Sequence, residues 1–233
     1  MTPERLIAVV RFVHDAALMG LWGASAYLLA LVPSALAAQI ARRLAAPRLA
    51  AVVLVALTTI AALPTQTALI GDGWPDAVNG TILWDVITST NIGTSWLAQG
   101  LAGLLLLAAQ MAAPRWQLAA TATASGLGLV CLALSGHAAM NTGWQGIAHP
   151  VNDALHVISA GGWVGALLPL LLILSSARHK PFDADSATAL RRFSNTGHVI
   201  VTLAILSGIA NGFFIVGWPP GWSSLYRVLL LIK

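Results

Sequence analysis

Charged residues and cysteines are scarce in this sequence, and each shortage excludes a class of protein. Only 9% of the 233 residues are charged, whereas 58% are hydrophobic and the mean hydropathy is +0.80. A soluble globular domain carries about 25% charged residues, so an ordinary soluble enzyme is excluded. The single cysteine, Cys131, excludes an intrachain disulfide and a multi-cysteine metal site. The sequence also contains neither the HExxH motif of zinc proteases nor an ATP-binding P-loop.

Long hydrophobic runs dominate what is present. A membrane-spanning helix needs about 20 mostly apolar residues. Six runs reach this length, at residues 5–32, 49–70, 93–112, 116–138, 151–176 and 192–216. A seventh run begins near residue 224 and stops at residue 233, too short to span, so we expect a chain truncated inside it. The sequence predicts an all-α, polytopic bundle of transmembrane helices, forming a single domain over residues 1–233 with six full spans and a truncated seventh.

Connections that carry basic residues alternate along the chain with connections that carry none. Eight of the twelve Lys and Arg residues lie in or beside the connections between runs 1 and 2, 3 and 4, and 5 and 6. They are Arg42, Arg43, Arg48, Arg115, Arg178, Lys180, Arg191 and Arg192. The stretches 71–92, 139–150 and 217–223 contain no Lys or Arg. The positive-inside rule therefore predicts that the basic connections are cytoplasmic and that the N-terminus is periplasmic.

The outer loop, residues 72–91, has a character of its own. Its apolar residues recur at helical spacing, which predicts a short amphipathic helix lying at the membrane interface. These residues are Val78, Ile82, Leu83, Val86 and Ile87. The same loop carries Asp72, Asp76 and Asp85, whose negative charge would raise the local concentration of cations.

Ionisable residues inside the hydrophobic runs are costly, and they are the default candidates for a functional site. In the predicted topology, three different helices contribute them to the outer half of the membrane. The residues are His14 and Asp15 in the first helix, His137 at the end of the fourth, and His149, Asp153 and His156 at the start of the fifth. The alternative interpretation is that such histidines are only hydrogen-bonding partners between helices.

The spacing of the last three residues favours a metal site. His149, Asp153 and His156 are separated by four and three residues, so they share one face of a helix. Pro150 suits a first helical turn, which makes His149 a plausible cap. We expect Asp153 to accept the ring N–H of His156 and to orient its other nitrogen toward a metal. Imidazole nitrogens together with the thioether of Met140 suit copper.

Several motifs then resemble the CopD copper-resistance family. Residues 135–139 (SGHAA), 152–156 (NDALH) and 160–170 (AGGWVGALLPL) are similar to that family's signature, as are 90–97 (TNIGTSWL), 192–194 (RFS) and 225–233 (LYRVLLLIK). Three positions depart from the family pattern: Ile92 replaces a Phe, Gln99 replaces an Arg, and Arg227 directly follows Tyr226 where a Gly is usual.

The resemblance implies a bacterial inner-membrane protein that is not an enzyme and that moves copper, as Cu(I) or Cu(II), from the periplasm toward the cytoplasm. It also implies a periplasmic copper carrier of the CopC type as partner. The family's histidines fall on His14, His137 and His156. The residues themselves add His149 and Met140 as assisting ligands, and Asp153 as the residue that orients His156. Nucleic acid is not expected as a partner, and the oligomeric state is left open.

Two other functions are left open by the same residues. Paired histidines on neighbouring membrane helices also ligate haem, so a b-type haem protein that transfers electrons is one alternative. Its axial ligands would come from His14, His137, His156 and His198. The other alternative is a copper sensor or assembly factor that holds the metal at the same site without moving it.

Overall fold

Eight α-helices make up most of the chain that the computed structural model describes, which is residues 1–135, 142–177 and 183–216. These residues contain no β-strand, and the predicted all-α class is confirmed. The helices are α1 (Pro3–Ala30), α2 (Ser34–Arg43), α3 (Ala45–Ile70), α4 (Gly80–Ser89), α5 (Asn91–Gln110), α6 (Pro114–Leu132), α7 (Gln145–Ala177) and α8 (Ala184–Val216). A single 3-10 turn, Asp76–Val78, precedes α4.

The six hydrophobic runs correspond to α1, α3, α5, α6, α7 and α8. Helix α2 was not predicted. It forms because Pro33, which cannot continue α1, takes an extended backbone conformation and begins a second amphipathic helix that buries Ala37 and Ile40. Helix α7 begins six residues earlier than residue 151, because the turn before it supplies acceptors. The amide N–H of Ala148 donates to Trp144 O (2.9 Å), and that of Gly146 donates to Gly143 O (3.2 Å).

Five of the helices are long and apolar enough to cross a membrane: α1, α3, α5, α7 and α8. Helix α6, which has 19 residues and opens with Arg115 and Gln117, is not among them. The count of six full spans and the periplasmic N-terminus therefore remain predictions. The proposed truncated seventh span lies outside the described residues. Helix α4 lies within the predicted outer loop, and its place at the membrane interface also remains a prediction.

Helix α1 packs against α3, α6 and α7. The closest approach is to α7, where a Cβ at Gly23 would lie 2.7 Å from the Cα of Gly165 and 2.8 Å from the amide nitrogen of Ala166. Met19 of α1 likewise contacts Gly161. Small residues allow such backbone contact between membrane helices, where the hydrophobic effect supplies little attraction. Gly161 and Gly165 are thus helix-packing residues.

The far ends of α1 and α7 meet the beginning of α8. The hydroxyl of Tyr27 donates to Ala189 O (3.4 Å), and its ring packs edge-on against Phe193 with 5.5 Å between centroids. Buried Ile40 and Ile173 join this cluster from α2 and α7. The start of α8 is therefore fixed beside α1, and its remaining length runs back along α7.

Candidate metal centre

His14 lies inside the bundle, at the meeting of α1, α3 and α5. Its side chain is only 7% exposed. The ring nitrogen Nδ1 lies 2.9 Å from Thr58 Oγ1 on α3, and Nε2 lies 3.2 Å from Gln99 Oε1 on α5. The imidazole therefore connects three helices, and both of its nitrogens have a hydrogen-bonding partner.

The hydrogen bonds of Gln99 fix the position of one His14 proton. The Gln99 side-chain NH2 donates to Gly128 O on α6 (2.9 Å), which leaves its oxygen facing His14. Because an amide oxygen can only accept, Nε2 of His14 carries the proton. In the neutral ring the lone pair is then on Nδ1, facing the Thr58 hydroxyl.

Thr58 has other acceptors for its single hydroxyl proton. Its Oγ1 lies 2.6 Å from Leu54 O and 3.0 Å from Val55 O, both in its own helix. Back-bonding of this kind is common for Thr within membrane helices. Thr58 can therefore turn its proton toward either carbonyl and leave Nδ1 of His14 free to bind something else.

A cavity of about 90 Å³ adjoins His14 between α1, α3 and α5. A water molecule occupies about 10–15 Å³ on this measure, so the cavity has room for several waters. Its polar lining includes Arg11, Asp15, Thr59, Gln66, Ser95 and Gln99. The cavity therefore brings several polar side chains together beside His14, although most of its surface is apolar.

His156 is held by α8. Its Nδ1 lies 2.9 Å from Ala204 O and 3.2 Å from Ser207 Oγ. A carbonyl oxygen can only accept, so Nδ1 carries the proton, and the lone pair of the neutral ring is on Nε2. Among the described residues no hydrogen bond reaches this Nε2. Gly208 makes room for the ring, because a Cβ there would lie 3.1 Å from Cε1.

Asp153 has a different partner from the one predicted. Its Oδ1 accepts from Nδ2 of Asn211 on α8 (2.9 Å), while the ring N–H of His156 goes to Ala204 O. The expected hydrogen bond from His156 to Asp153 is thus not the one that forms. The reason is that α8 packs along this face of α7 and supplies its own acceptor and donor.

The predicted role of His149 as a helix cap is wrong. Helix α7 begins at Gln145, so His149 lies inside the helix, and its side chain is only 2% exposed. Its ring stacks on Phe214 of α8 with 4.9 Å between centroids and 14° between planes. His149 therefore belongs to the α7–α8 interface and not to a solvated loop.

The described residues do not assemble the whole predicted ligand set. No group of three or more His, Cys, Asp or Glu side chains among them is placed to hold a metal ion. The nitrogens of His14 face α3 and α5, whereas Nδ1 of His156 faces α8, so these two lie at different helix interfaces. His137 and Met140 lie outside the described residues, and the ligand set stays a prediction.

Sequence reasoning missed the residues that hold the histidines. Thr58 and Gln99 contact His14, and Ser207 contacts His156, while Asn211 contacts Asp153. Gln99 offered a signal, because it departs from the family pattern at a position inside a hydrophobic run. Ser207 and Asn211 also interrupt a hydrophobic run. Neither is titratable or a usual metal ligand, so a search for such residues does not find them.

The fold and the buried histidines define a class of protein: a helical membrane protein with ionisable side chains inside its bundle. Comparison of sequences identifies the family. Residues 1–147 match the family model described as Copper resistance protein D-like, N-terminal domain. This match covers more than half of the chain, and the chain belongs to that family.

Three relatives agree with this assignment. The chain is 32% identical to Inner membrane protein YebZ of Escherichia coli (strain K12) over 228 residues, covering 96% of this chain and 77% of that protein. It is 34% identical to Copper resistance protein D of Pseudomonas syringae pv. tomato over 155 residues, covering 64% of this chain and 50% of that protein. It is 30% identical to Copper transport protein CutJ of Bacillus subtilis (strain 168) over 187 residues, or 76% of this chain and 34% of that protein. No solved structure matches the chain.

Family and helices together establish the broad assignment. The chain is a copper-related membrane protein, and it is a multi-pass protein of the inner membrane. These two statements confirm the predicted family and localisation.

Proposed function

We propose that the chain binds copper at histidines within its helical bundle and passes the ion from the periplasm toward the cytoplasm, without catalysing a reaction. The proposed ligands are His14, His137 and His156. His149 and Met140 would assist the approach of the ion, and Asp153 would act from behind the ligands. Family membership and the name of the relative CutJ support copper as the cargo.

The observation that carries this proposal is the hydrogen bond from His156 to Ala204 O (2.9 Å). A histidine that ligates a metal almost always donates its other ring N–H to a carboxylate, a backbone carbonyl or water. The bond fixes both the tautomer and the ring plane of His156. The lone pair on Nε2 is then available to a metal ion.

His14 supports the same proposal with the opposite nitrogen. Gln99 Oε1 holds the Nε2 proton at 3.2 Å, and the Nδ1 lone pair faces Thr58. A metal at Nδ1 would take the place of the Thr58 hydroxyl, which has Leu54 O available at 2.6 Å. Metal binding at Nδ1 would leave the Thr58 hydroxyl proton bonded to Leu54 O, so the energetic cost of displacing Thr58 is small.

The approach of the ion is proposed to begin at the outer loop. Asp72, Asp76 and Asp85 would attract a cation or a basic surface of a CopC-type periplasmic carrier. His149 precedes His156 by seven residues in α7, roughly 10 Å along the helix at 1.5 Å per residue. It would therefore lie between that loop and His156 in the proposed orientation.

A binding experiment tests the ligand assignment. The purified chain in detergent is titrated with Cu(I) against a competing chelator, and His156→Ala is compared with His198→Ala. His198 is the matched control, because it lies on α8, is exposed, and bonds through Nδ1 to Ser194 O (2.6 Å). We expect affinity to fall by more than about 100-fold in His156→Ala, since outer-shell changes alone cost 10–100-fold, and to stay unchanged in His198→Ala. Unchanged affinity in both variants would refute the site.

A transport experiment tests the movement of the ion. Vesicles containing the chain are exposed to Cu(I), and copper inside them is measured over time with wild type and His156→Ala. Uptake that depends on His156 supports a transporter, whereas tight binding without uptake identifies a sensor or an assembly factor. Stoichiometric iron with a Soret band in the purified protein would instead identify the haem alternative.

A further inference from the structure

A polar seam joins α7 and α8 along four rungs. Its members on α7 are His149, Asn152, Asp153 and His156, and on α8 they are Ala204, Ser207, Asn211 and Phe214. Their mutual contacts place each set on the side of its helix that faces the other helix. The seam therefore runs antiparallel between the two helices, and it contains three residues predicted for the metal site.

Asn211 forms hydrogen bonds with two residues of α7. Its Oδ1 accepts from Asn152 Nδ2 at 2.7 Å, and its Nδ2 donates to Asp153 Oδ1 at 2.9 Å. Asn152 Nδ2 also lies 2.8 Å from Ser207 O. One amide thus serves two neighbouring residues of α7 at once, using its acceptor on one side and its donor on the other.

An amide suits this place because it can donate and accept at the same time. The carboxylate of Asp153 accepts hydrogen bonds and cannot donate, so it requires a donor. Asn152 presents an N–H and requires an acceptor. A carboxylate at position 211 could only accept, an ammonium group could only donate, and an apolar side chain would leave both Asp153 and Asn152 without this partner. An unpaired carboxylate within a membrane span is costly.

The position of Asp153 depends on this bond. Asp153 precedes His156 by three residues and shares its helix face. Four residues before Asn211, Ser207 Oγ lies 3.2 Å from the His156 ring. The same face of α8 therefore sets both the His156 ring and the Asp153 carboxylate, one turn apart.

We propose that Asn211 is a positioning residue for the copper site, and that it acts through Asp153 by holding its carboxylate on the His156 face of α7. The negative charge of Asp153 then stabilises a copper ion bound at His156. This inference rests on the proposed function, because it assumes copper at His156.

A double-mutant cycle separates positioning from a general structural role. Cu(I) affinity is measured by chelator competition for wild type, Asn211→Ala, Asp153→Asn and the double variant, and the Cu(II) electron paramagnetic resonance spectrum is recorded for each. We expect each single variant to weaken binding about 10-fold, at the lower end of outer-shell effects. The double variant should bind Cu(I) with the same affinity as the single variant that binds it less tightly, because Asn211 acts only through Asp153. Both single variants should change the Cu(II) spectrum in the same direction.

The chain provides a control next to Asn211. Among the described residues, no atom lies within 4 Å of a Cβ added at Gly212, so Gly212→Ala should leave affinity and spectrum unchanged. Asn211→Leu is a second test variant. The branched side chain of leucine is similar in shape to that of asparagine, and leucine inserts readily into a membrane.

The outcomes are distinguishable from those of the proposed function. If His156→Ala abolishes tight binding but Asp153→Asn or both Asn211 variants leave affinity unchanged, the positioning role is overturned and the copper site stands. Additive losses in the double variant would also overturn it. If His156→Ala itself has no effect, the proposed function fails first.

Discussion

His14 and His156 are anchored by opposite ring nitrogens. His14 donates from Nε2 to Gln99 Oε1 at 3.2 Å, and His156 donates from Nδ1 to Ala204 O at 2.9 Å. In the neutral state the two imidazoles therefore present different lone pairs, Nδ1 and Nε2. Each anchor is an oxygen that can only accept, which makes the choice of nitrogen a property of the fold.

Replacing Gln99 tests the first anchor. Gln99→Leu removes the acceptor for the His14 proton, so the ring loses the bond that fixes its tautomer. We expect Cu(I) affinity, measured by chelator competition, to fall about 10-fold or more, as for other outer-shell partners of metal-bound histidines.

Gln66→Leu is the matched control for that experiment. Gln66 is buried and lines the same cavity, but it makes no hydrogen bond to His14. Its replacement should leave the affinity for Cu(I) near the wild-type value. Equal losses in both variants would mean that polarity of the cavity matters and that the His14 tautomer does not.

Replacing Gly208 tests the space around the second histidine. A Cβ at Gly208 would lie 3.1 Å from Cε1 and 3.4 Å from Nδ1 of His156. The ring must then move by a few tenths of an ångström, which lengthens its bond to Ala204 O. We expect Gly208→Ala to weaken Cu(I) binding and to alter the Cu(II) resonance spectrum. Gly212→Ala, where the described residues leave open space, should change neither. An unaltered spectrum in Gly208→Ala would show that the ring does not coordinate copper.

Helices were predictable here because each long one leaves a local signature of about 20 apolar residues. The start of α7 was not predictable, because it depends on carbonyls in the turn before it and not on hydrophobic residues. The cap assigned to His149 failed for the same reason.

The residues around the site were harder to predict than the histidines themselves. Thr58 and Gln99 are 44 and 85 residues from His14 in sequence, and Asn211 is 58 residues from Asp153. Such pairs are set by how helices pack, which no spacing within one run reveals. Asp153 looked like a partner for His156 because the two are near in sequence, whereas packing against α8 gave each a nearer partner.

The contact between α1 and α7 predicts a stability effect. A Cβ at Gly23 would lie 2.7 Å from Cα of Gly165, and backbone atoms cannot move aside as a side chain can. Overpacking of this kind costs about 1–3 kcal/mol, so Gly23→Ala should lower the thermal unfolding midpoint in detergent. Gly20 lies in the same helix, and no atom of the described part of the chain is within 4 Å of a Cβ added there, so Gly20→Ala should leave the midpoint unchanged or slightly higher. A Gly23→Ala variant as stable as Gly20→Ala would contradict the packing.

The start of α8 predicts a dependence of stability on pH. Asp183 Oδ1 accepts from the amide N–H of Ser186 at 2.7 Å, and this bond together with the Ser186 hydroxyl lowers the pKa of the exposed Asp183 carboxyl. A carboxyl whose pKa is lowered by folding adds stability above its unfolded pKa, near 4, and loses it as the pH falls through the folded value. Asp183→Ala should therefore lower the unfolding midpoint at pH 7, and its difference from wild type should shrink in acid. Asp183→Asn caps the helix equally well without titrating, so its midpoint relative to Asp183→Ala should not depend on pH. A difference between wild type and Asp183→Ala that persists at pH 2 would show that the ionised carboxylate is not what stabilises the helix.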